Sequence, residues 1–251
     1  MDLENQYGTL AVQRKLLVLM KKFDALCQQE GIAYTVSSGT LLGTVRHKGF
    51  IPWDDDLDVW LSRKSYEQLL ACLPTNGMSV ERNTEQALWI DRLRLEDDAN
   101  ATMDLFILDN LPDNLLAAKL KVLMLKVLQG MMKRRPDYSG YSFVNKVLVF
   151  STYNMGRLFS RNRKMSWYHG VSKWGNDKDT KYKILVNDRY SGLTIKYPKR
   201  IVASFVRLPF ENIEVSALVG WDEYLTMIYG DYMTPPRQEE RSPLHIKEDY
   251  V

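Results

Sequence analysis

The sequence predicts a mixed α/β (α+β) fold with a mainly helical, basic insertion. Three observations carry that expectation. Over residues 10–110, short apolar runs with strand-like alternation are interleaved with segments of helical spacing. Residues 114–175 depart in composition, with twelve Lys or Arg against a single acid, Asp137, a net charge of +11. After residue 180, short strand-like runs return around a turn. The expected divisions are a core over 1–112, a helical basic insertion over 113–178, and a C-terminal segment over 179–251 that completes the core.

The elements follow in order. Residues 10–30 read as an amphipathic helix, since Leu16, Met20, Phe23 and Cys27 recur at helical spacing and Gly31 supplies a stop. IAYTVS (32–37) reads as a short strand, SSGT as a turn, and LLGTVRHK as a short helix. LDVWL (57–61) alternates as a strand does. Residues 63–73 form a second helix with Tyr66, Leu69, Leu70 and Leu73 on one face. Strands are expected at 88–95 and 102–108. The 114–175 segment reads as helical with a break at RRPDYSG. In RIVASFVRLPFENIEVSA two strands flank a turn at Glu211–Asn212. A helix around 218–230 ends at Gly230, and an irregular tail follows.

Composition excludes several classes. The two cysteines, Cys27 and Cys72, form no CxxC or Cys/His cluster, which argues against a disulfide framework or structural zinc and suits a reducing cytoplasm. Cys27, at helical spacing, reads as a buried small hydrophobe. A net charge of +3 does not point to nucleic acid. The N-terminus lacks a basic stretch followed by an apolar one, so no secretory signal is expected. The most apolar runs, such as LKVLMLKVL, are broken by lysine and fall short of the roughly 18 apolar residues of a spanning helix.

The chemistry concentrates in HKGFIPWDDDLDVW, residues 47–60, which crowds Asp54, Asp55, Asp56 and Asp58. Strand alternation puts Asp56, Asp58 and Trp60 on one face and Leu57, Val59 and Leu61 on the other. Two carboxylates so spaced can grip one hard cation, and Mg²⁺ commonly takes one or two carboxylates plus phosphate oxygens. Asp54 and Asp55 belong to the entering loop, one to orient it and the other solvated. In TMDLFILD, Asp104 faces away from Met103, Leu105 and Ile107, and an adjacent strand would bring it to the first pair as metal ligand or proton acceptor. Upstream, the small residues of SSGT offer backbone N–H groups to an anion, with Arg46, His47 and Lys48 adding positive charge. Trp53 offers a stacking face for a base, or a core aromatic. Together these parts describe phosphoryl or nucleotidyl transfer.

GTLLGTVRHKGFIPWDDDLDVW resembles the signature of the LicD family of phosphotransferases, which includes bacterial phosphocholine transferases and the fukutin-related proteins. The resemblance begins in KKFDALCQQEGIAY, runs through MDLFILDNLP, and returns more weakly in LPFENIEV and YLTMIYGDYMTPP. It covers roughly 10–110 and 205–245 and leaves the basic segment unmatched. It implies a nucleotidyltransferase-like mixed-sheet core. It also implies Mg²⁺-dependent (or Mn²⁺-dependent) transfer of a phospho-alcohol, with phosphocholine from CDP-choline favoured, to a hydroxyl of a cell-surface glycan or its lipid-linked precursor. By this likeness Ser38, Gly39 and Thr40 match the family's small turn, Asp56 and Asp58 its metal-binding pair, and Asp104 its third acid. Arg92 stands where the family often carries lysine, which keeps the charge but changes the phosphate geometry. Arg241 and His245 fall in the segment resembling the family's C-terminal site edge.

Alternatives stand beside that reading. The runner-up is transfer of glycerol-phosphate or ribitol-phosphate from the matching CDP donor, or plain nucleotidyl transfer, which uses the same parts. A non-enzymatic module would bind glycan or membrane through 114–175. In that segment Lys119, Lys126 and Lys133 form a stripe beside Leu116, Leu120, Leu123 and Val127, with Lys121 at the far edge of the apolar arc. Such a pattern suits a helix lying on an anionic membrane, or a core helix whose lysines reach out to water. The expected location is the bacterial cytoplasm, at the inner face of the membrane.

Overall fold

The structure, a computed structural model, describes residues 7–82, 90–98, 101–134, 136, 138, 139 and 142–243. The elements in chain order are α1 (Leu10–Gln29), β1 (Tyr34–Val36), α2 (Ser38–Arg46), β2 (Leu57–Ser62), α3 (Arg63–Cys72), β3 (Met78–Arg82), β4 (Asp91–Leu95) and β5 (Thr102–Leu111). Then come α4 (Leu115–Met132), α5 (Phe143–Gly156), α6 (Arg161–Lys173), β6 (Tyr182–Leu185), β7 (Tyr197–Pro198), β8 (Phe205–Phe210), β9 (Ile213–Leu218) and α7 (Trp221–Tyr229). The content is α+β, as expected. The strand β3 and the β6–β7 pair were not foreseen, because none shows a clean alternation.

The chain divides into two compact units, one of Met1–Glu81, Asp91–Phe106 and Arg200–Val251, the other of Arg82–Ile90 and Ile107–Lys199. In the first, strands follow the order β1-β2-β5-β4-β3. β1 and β2 are antiparallel with Thr35 opposite Trp60, and β4 and β5 are antiparallel with Arg92 opposite Asp104. Leu57, Val59 and Leu61 are buried, as alternation requires. Trp60 departs from the expected cleft face: it is 2% exposed and meets Tyr224 of α7 edge-on, with ring centroids 4.8 Å apart. Both faces of this central strand are therefore covered beyond its first residues, and only its N-terminal end, at Asp58, opens toward a site.

Helix α1 buries Leu16, Leu19, Met20, Phe23 and Cys27 along one stripe. Asp24 lies on that same buried side and is held by four donor atoms. Arg207 of β8 gives two bonds at 2.6 and 2.8 Å, Tyr34 of β1 one at 2.5 Å, and Gln28 one at 2.6 Å. Tyr34 also accepts from the Ser216 N–H of β9, and its carbonyl accepts from the Ser216 hydroxyl. One carboxylate thus joins the first helix, the first strand and the β8–β9 hairpin. The hairpin turn falls at Glu211, with φ +54°, and Asn212, the expected place.

In the second unit, β6 pairs with the Leu108–Leu111 end of β5, and β7 pairs with β6. This pairing explains why the unit runs on to Lys199, where the composition change suggested an end near 178. Helices α4 and α5 approach so closely that a Cβ on Gly156 would lie 1.9 Å from the Met131 carbonyl oxygen. Lys121 departs from its expected place at the edge of an apolar arc. It is fully buried and donates to the carbonyls of Asn110, Ser172 and Trp174 at 2.6–2.8 Å. Lys164 likewise donates to the carbonyls of Met131 and Gly156 at the ends of α4 and α5.

Two stability predictions follow from these bonds. Burial works against the charge of Asp24, but the bonds from Arg207, Tyr34 and Gln28 outweigh it and hold the carboxyl below its ordinary range. Its contribution is then present above the unfolded carboxylate pKa and is lost as pH falls through the lower folded one. Asp24→Asn should cost about 2 kcal/mol in urea unfolding at neutral pH, and the gap to the parent should shrink in acid. Lys121→Met should cost about 2 kcal/mol at neutral pH, because one buried and two half-buried carbonyls lose this donor.

Candidate active site

The aspartate loop is fixed from three directions. Gln13 of α1 donates to the carbonyls of Ile51 and Asp54 at 3.1 and 2.8 Å, and Thr9 donates to the carbonyl of Pro52 at 2.6 Å. Glu211, at the β8–β9 turn, accepts from the Phe50 N–H at 3.0 Å, and its own N–H donates to the Lys48 carbonyl at 2.7 Å. The third support is the start of α2. Thr40 accepts from the Asp58 N–H at 2.9 Å, and the Ser37 N–H donates to the Asp58 carbonyl at 2.9 Å.

The SSGT segment differs from the expected phosphate-holding turn. Ser38, Gly39 and Thr40 form the first turn of α2, and they engage the aspartates. The Ser38 hydroxyl bonds to the Asp58 carboxylate. Gly39 packs so tightly against Asp54 that a Cβ would stand 2.8 Å from its Oδ2. A helix N-terminus carries partial positive charge, so carboxylates are stabilised there. Ser38 pays for this placement with φ +46°, a left-handed conformation costly for a residue with a side chain, and its N–H donates to the Tyr224 hydroxyl at 3.2 Å.

The carboxylates remain crowded. Burial, then the charge of Asp56, a hydrogen bond shared with Asp56, and the charge of Asp55 push the Asp54 carboxyl up to about 8. Burial, then Asp56, Asp104 and Asp54, push Asp58 well above the ordinary carboxylate value. Asp104 stands on β5, the strand next to β2, and its Oδ1 takes the Arg92 Nε at 2.9 Å. Asp55 is buried, 7% exposed, where a solvated role had been one of two expectations.

Such a donor set fits a hard divalent cation, whose charge would relieve the repulsion among these oxygens. Among the described residues, no three His, Cys, Asp or Glu side chains already converge as a metal cage. The fit is therefore to a cation gripped by one or two carboxylates and completed by phosphate oxygens of a substrate.

A basic group borders the acids. Arg46 donates through Nη1 to the Tyr232 carbonyl at 2.9 Å and through Nε to His47 Nδ1 at 3.4 Å. Arg241 stacks over Trp53 with 5.1 Å to the ring centroid, and Trp53 also meets Tyr7 and His47 edge-on. Trp53 is thus enclosed by side chains of its own chain. Burial, then Arg46 and Arg241, hold His47 below its ordinary value. Arg92, expected at the phosphate, is directed onto Asp104. His245 lies outside the described residues.

Sequence reasoning missed Gln13, Glu211, Tyr224 and Tyr229. Tyr229 lies in the field of both groups. Burial, then Tyr224 and the carboxylates of Asp58, Asp54 and Asp56, raise its phenol, and it acts in turn on Arg46. Glu211 and Tyr229 fall within LPFENIEV and YLTMIYGDYMTPP, the two weaker stretches of the family resemblance, which were the available signal.

A carboxylate cluster at a strand end, a helix N-terminus beside it and arginines at its rim are the parts of a phosphoryl- or nucleotidyl-transfer site. Residues 31–108 match the model of the LicD/FKTN/FKRP nucleotidyltransferase domain. Over 255 aligned residues, 94% of this chain and 95% of the relative, it is 29% identical to the lipopolysaccharide cholinephosphotransferase LicD of Haemophilus influenzae. Shorter matches reach an uncharacterized protein of Rickettsia typhi, 39% identical over 71 residues, and one of Rickettsia prowazekii, 46% over 59. These cover 27% and 24% of this chain, and 23% and 22% of the two proteins.

Gly39→Ala tests the site's tightest contact. The added methyl must displace the Asp54 carboxyl, while alanine suits the helix at least as well as glycine. Turnover should fall about a hundredfold, with the melting transition close to the parent's.

Proposed function

We propose that this chain transfers phosphocholine from CDP-choline to a hydroxyl of a cell-surface glycan, with lipopolysaccharide or its lipid-linked precursor as acceptor. That it is an enzyme of the LicD phosphotransferase type is the coarser statement, and the end-to-end similarity to the Haemophilus cholinephosphotransferase supports it. The observation that carries the proposal is the crowding of Asp54, Asp56 and Asp58, with Asp104 near enough to act on Asp58. Folding alone gives no reason to bring these charges together.

The reaction forms a bond from the acceptor oxygen to the phosphorus distal to cytidine and breaks the bond from that phosphorus to the bridging oxygen. CMP leaves with the electron pair, and the hydroxyl proton passes to the carboxylate cluster. Mg²⁺, when bound, would supply charge that offsets the diphosphate and the developing charge on CMP. Asp56 and Asp58 would hold it. Ser38 and Thr40 fix Asp58 from its side chain and its backbone, and Arg92 orients Asp104. Arg46, beside His47, presents a cation to phosphate oxygens, and Arg241 adds a second at the rim. Tyr224, buried beside the cluster, holds the Ser38 N–H, and Tyr229 lies in the field of the aspartates.

The test is CMP release from CDP-choline, CDP-glycerol and CDP-ribitol, each with Mg²⁺ and a lipopolysaccharide acceptor. CDP-choline should be the productive donor; release from another CDP-alcohol alone would overturn the choline assignment. Asp58→Asn should lower turnover by roughly two orders of magnitude or more while leaving the circular dichroism spectrum unchanged. Retention of activity in that variant would remove the cluster from the mechanism.

A further inference from the structure

The apolar residues of the second unit do not all go inside. Leu116 of α4 is 77% exposed, Phe143 and Phe150 of α5 are 80% and 60% exposed, and Leu158, just past α5, is 79% exposed. They are not scattered. Leu116, Leu120 and Leu123 recur at i, i+4 and i+7 along α4, and Phe143, Val147 and Phe150 do the same along α5. All six are exposed, and α4 packs directly on α5. Monomeric proteins rarely leave contiguous apolar surface of this kind in water.

The charge around these stripes is as one-sided as the apolarity. Segment 114–175 carries +11 while the whole chain carries +3, which leaves −8 for the remainder. Lys121 and Lys164 serve buried or half-buried carbonyls. Lys119, Lys146, Arg157 and Arg163 stand exposed among the apolar side chains. Between α4 and α5 lies a recess of about 190 Å³, lined by Leu123, Val127, Leu148, Val149 and Tyr190, with Lys126 and Lys133 also in its wall. Lys126 sits 4.3 Å over the Tyr190 ring. The recess is smaller than the roughly 300 Å³ at which ligand pockets begin, and it suits a piece of hydrocarbon rather than a nucleotide.

We propose that the α4–α5 face docks peripherally on an anionic lipid bilayer. The exposed leucines and phenylalanines enter the acyl boundary, and the surrounding lysines and arginines meet lipid phosphates. Charge selects this occupant over a second copy of the chain, because two such faces, each carrying Lys119, Lys126, Lys133 and Lys146, repel each other. No described helix is long and apolar enough to cross the membrane, so the contact lies along the surface.

Vesicle flotation of the full chain tests this without reference to the donor. The protein should float with vesicles of phosphatidylglycerol in phosphatidylcholine, poorly with phosphatidylcholine alone, and less as salt rises. The double variant Phe143→Ser, Phe150→Ser should bind more than about tenfold more weakly with unchanged circular dichroism. Lys119→Gln and Lys146→Gln should each weaken binding about fivefold. Failure to float with phosphatidylglycerol vesicles overturns the proposal. So does binding that ignores lipid charge, or a dimer in sedimentation that the phenylalanine variant dissociates.

Discussion

The repulsion among Asp54, Asp56 and Asp58 is the constraint around which the first unit is arranged. Without scaffolding, a loop carrying those charges would spread into solvent. Here its backbone is pinned by Gln13 and Thr9 near the start of the chain and by Glu211 near its end, and its carboxylates lie against the first turn of α2. These supports come from segments about two hundred residues apart in sequence, and they converge because α1 and the β8–β9 hairpin are themselves tied through Asp24 and Arg207. The buried ion pair is thus upstream of the site: it sets the hairpin whose turn holds the loop. Strain at Ser38 is part of the same arrangement, since its left-handed backbone places the hydroxyl on Asp58.

Much of this was legible in the sequence, and the reasons are physical. Helical spacing in α1 and α3 and alternation in β2 and β5 report burial, which is what creates those periodicities. The aspartates stood out because no folding force favours crowding them. Asp104 was reachable because alternation in TMDLFILD assigns it the face opposite Met103, Leu105 and Ile107. Three things were hidden. Trp60 obeys the alternation of its strand, yet α7 covers that face, and no local pattern announces a helix arriving from 160 residues away. Lys121 looks like any other lysine of a basic helix, and only the carbonyls brought by the chain near residues 110, 172 and 174 make it a core residue. Glu211 reads as an ordinary hairpin-turn residue until its carboxylate is seen on the Phe50 N–H.

The basic segment shows how composition divides once structure is known. Its charge suggested a single purpose, but Lys121 and Lys164 donate to backbone carbonyls of their own unit, a role set by backbone rather than by any partner. Lys119, Lys146, Arg157 and Arg163 instead stand exposed. The same sorting applies to the apolar residues: Ala118, Leu125, Leu128, Met131 and Met132 of α4 are buried, while Leu116, Leu120 and Leu123 on the same helix are not. A helix apolar on both its packed and its exposed sides has more apolar surface than its own unit can cover.

The site holds a second crowding that complements the first. Burial and then Arg241 disfavour the charged form of Arg46, and burial and then both arginines disfavour that of His47. Arg46 spends its donors on a carbonyl and an imidazole rather than on a nearby carboxylate. Tyr229 feels the acids and acts on Arg46, so the two groups share a neighbour. Two clusters of opposite sign, each repelling internally, thus lie on either side of Tyr229. A ligand that relieves both must carry a cation toward the aspartates and an anion toward the arginines. A divalent ion bound to a diphosphate has that polarity, whereas an uncharged glycan alone has neither. On the proposed function, the CDP-linked donor rather than the acceptor is the partner with the polarity of this charged core.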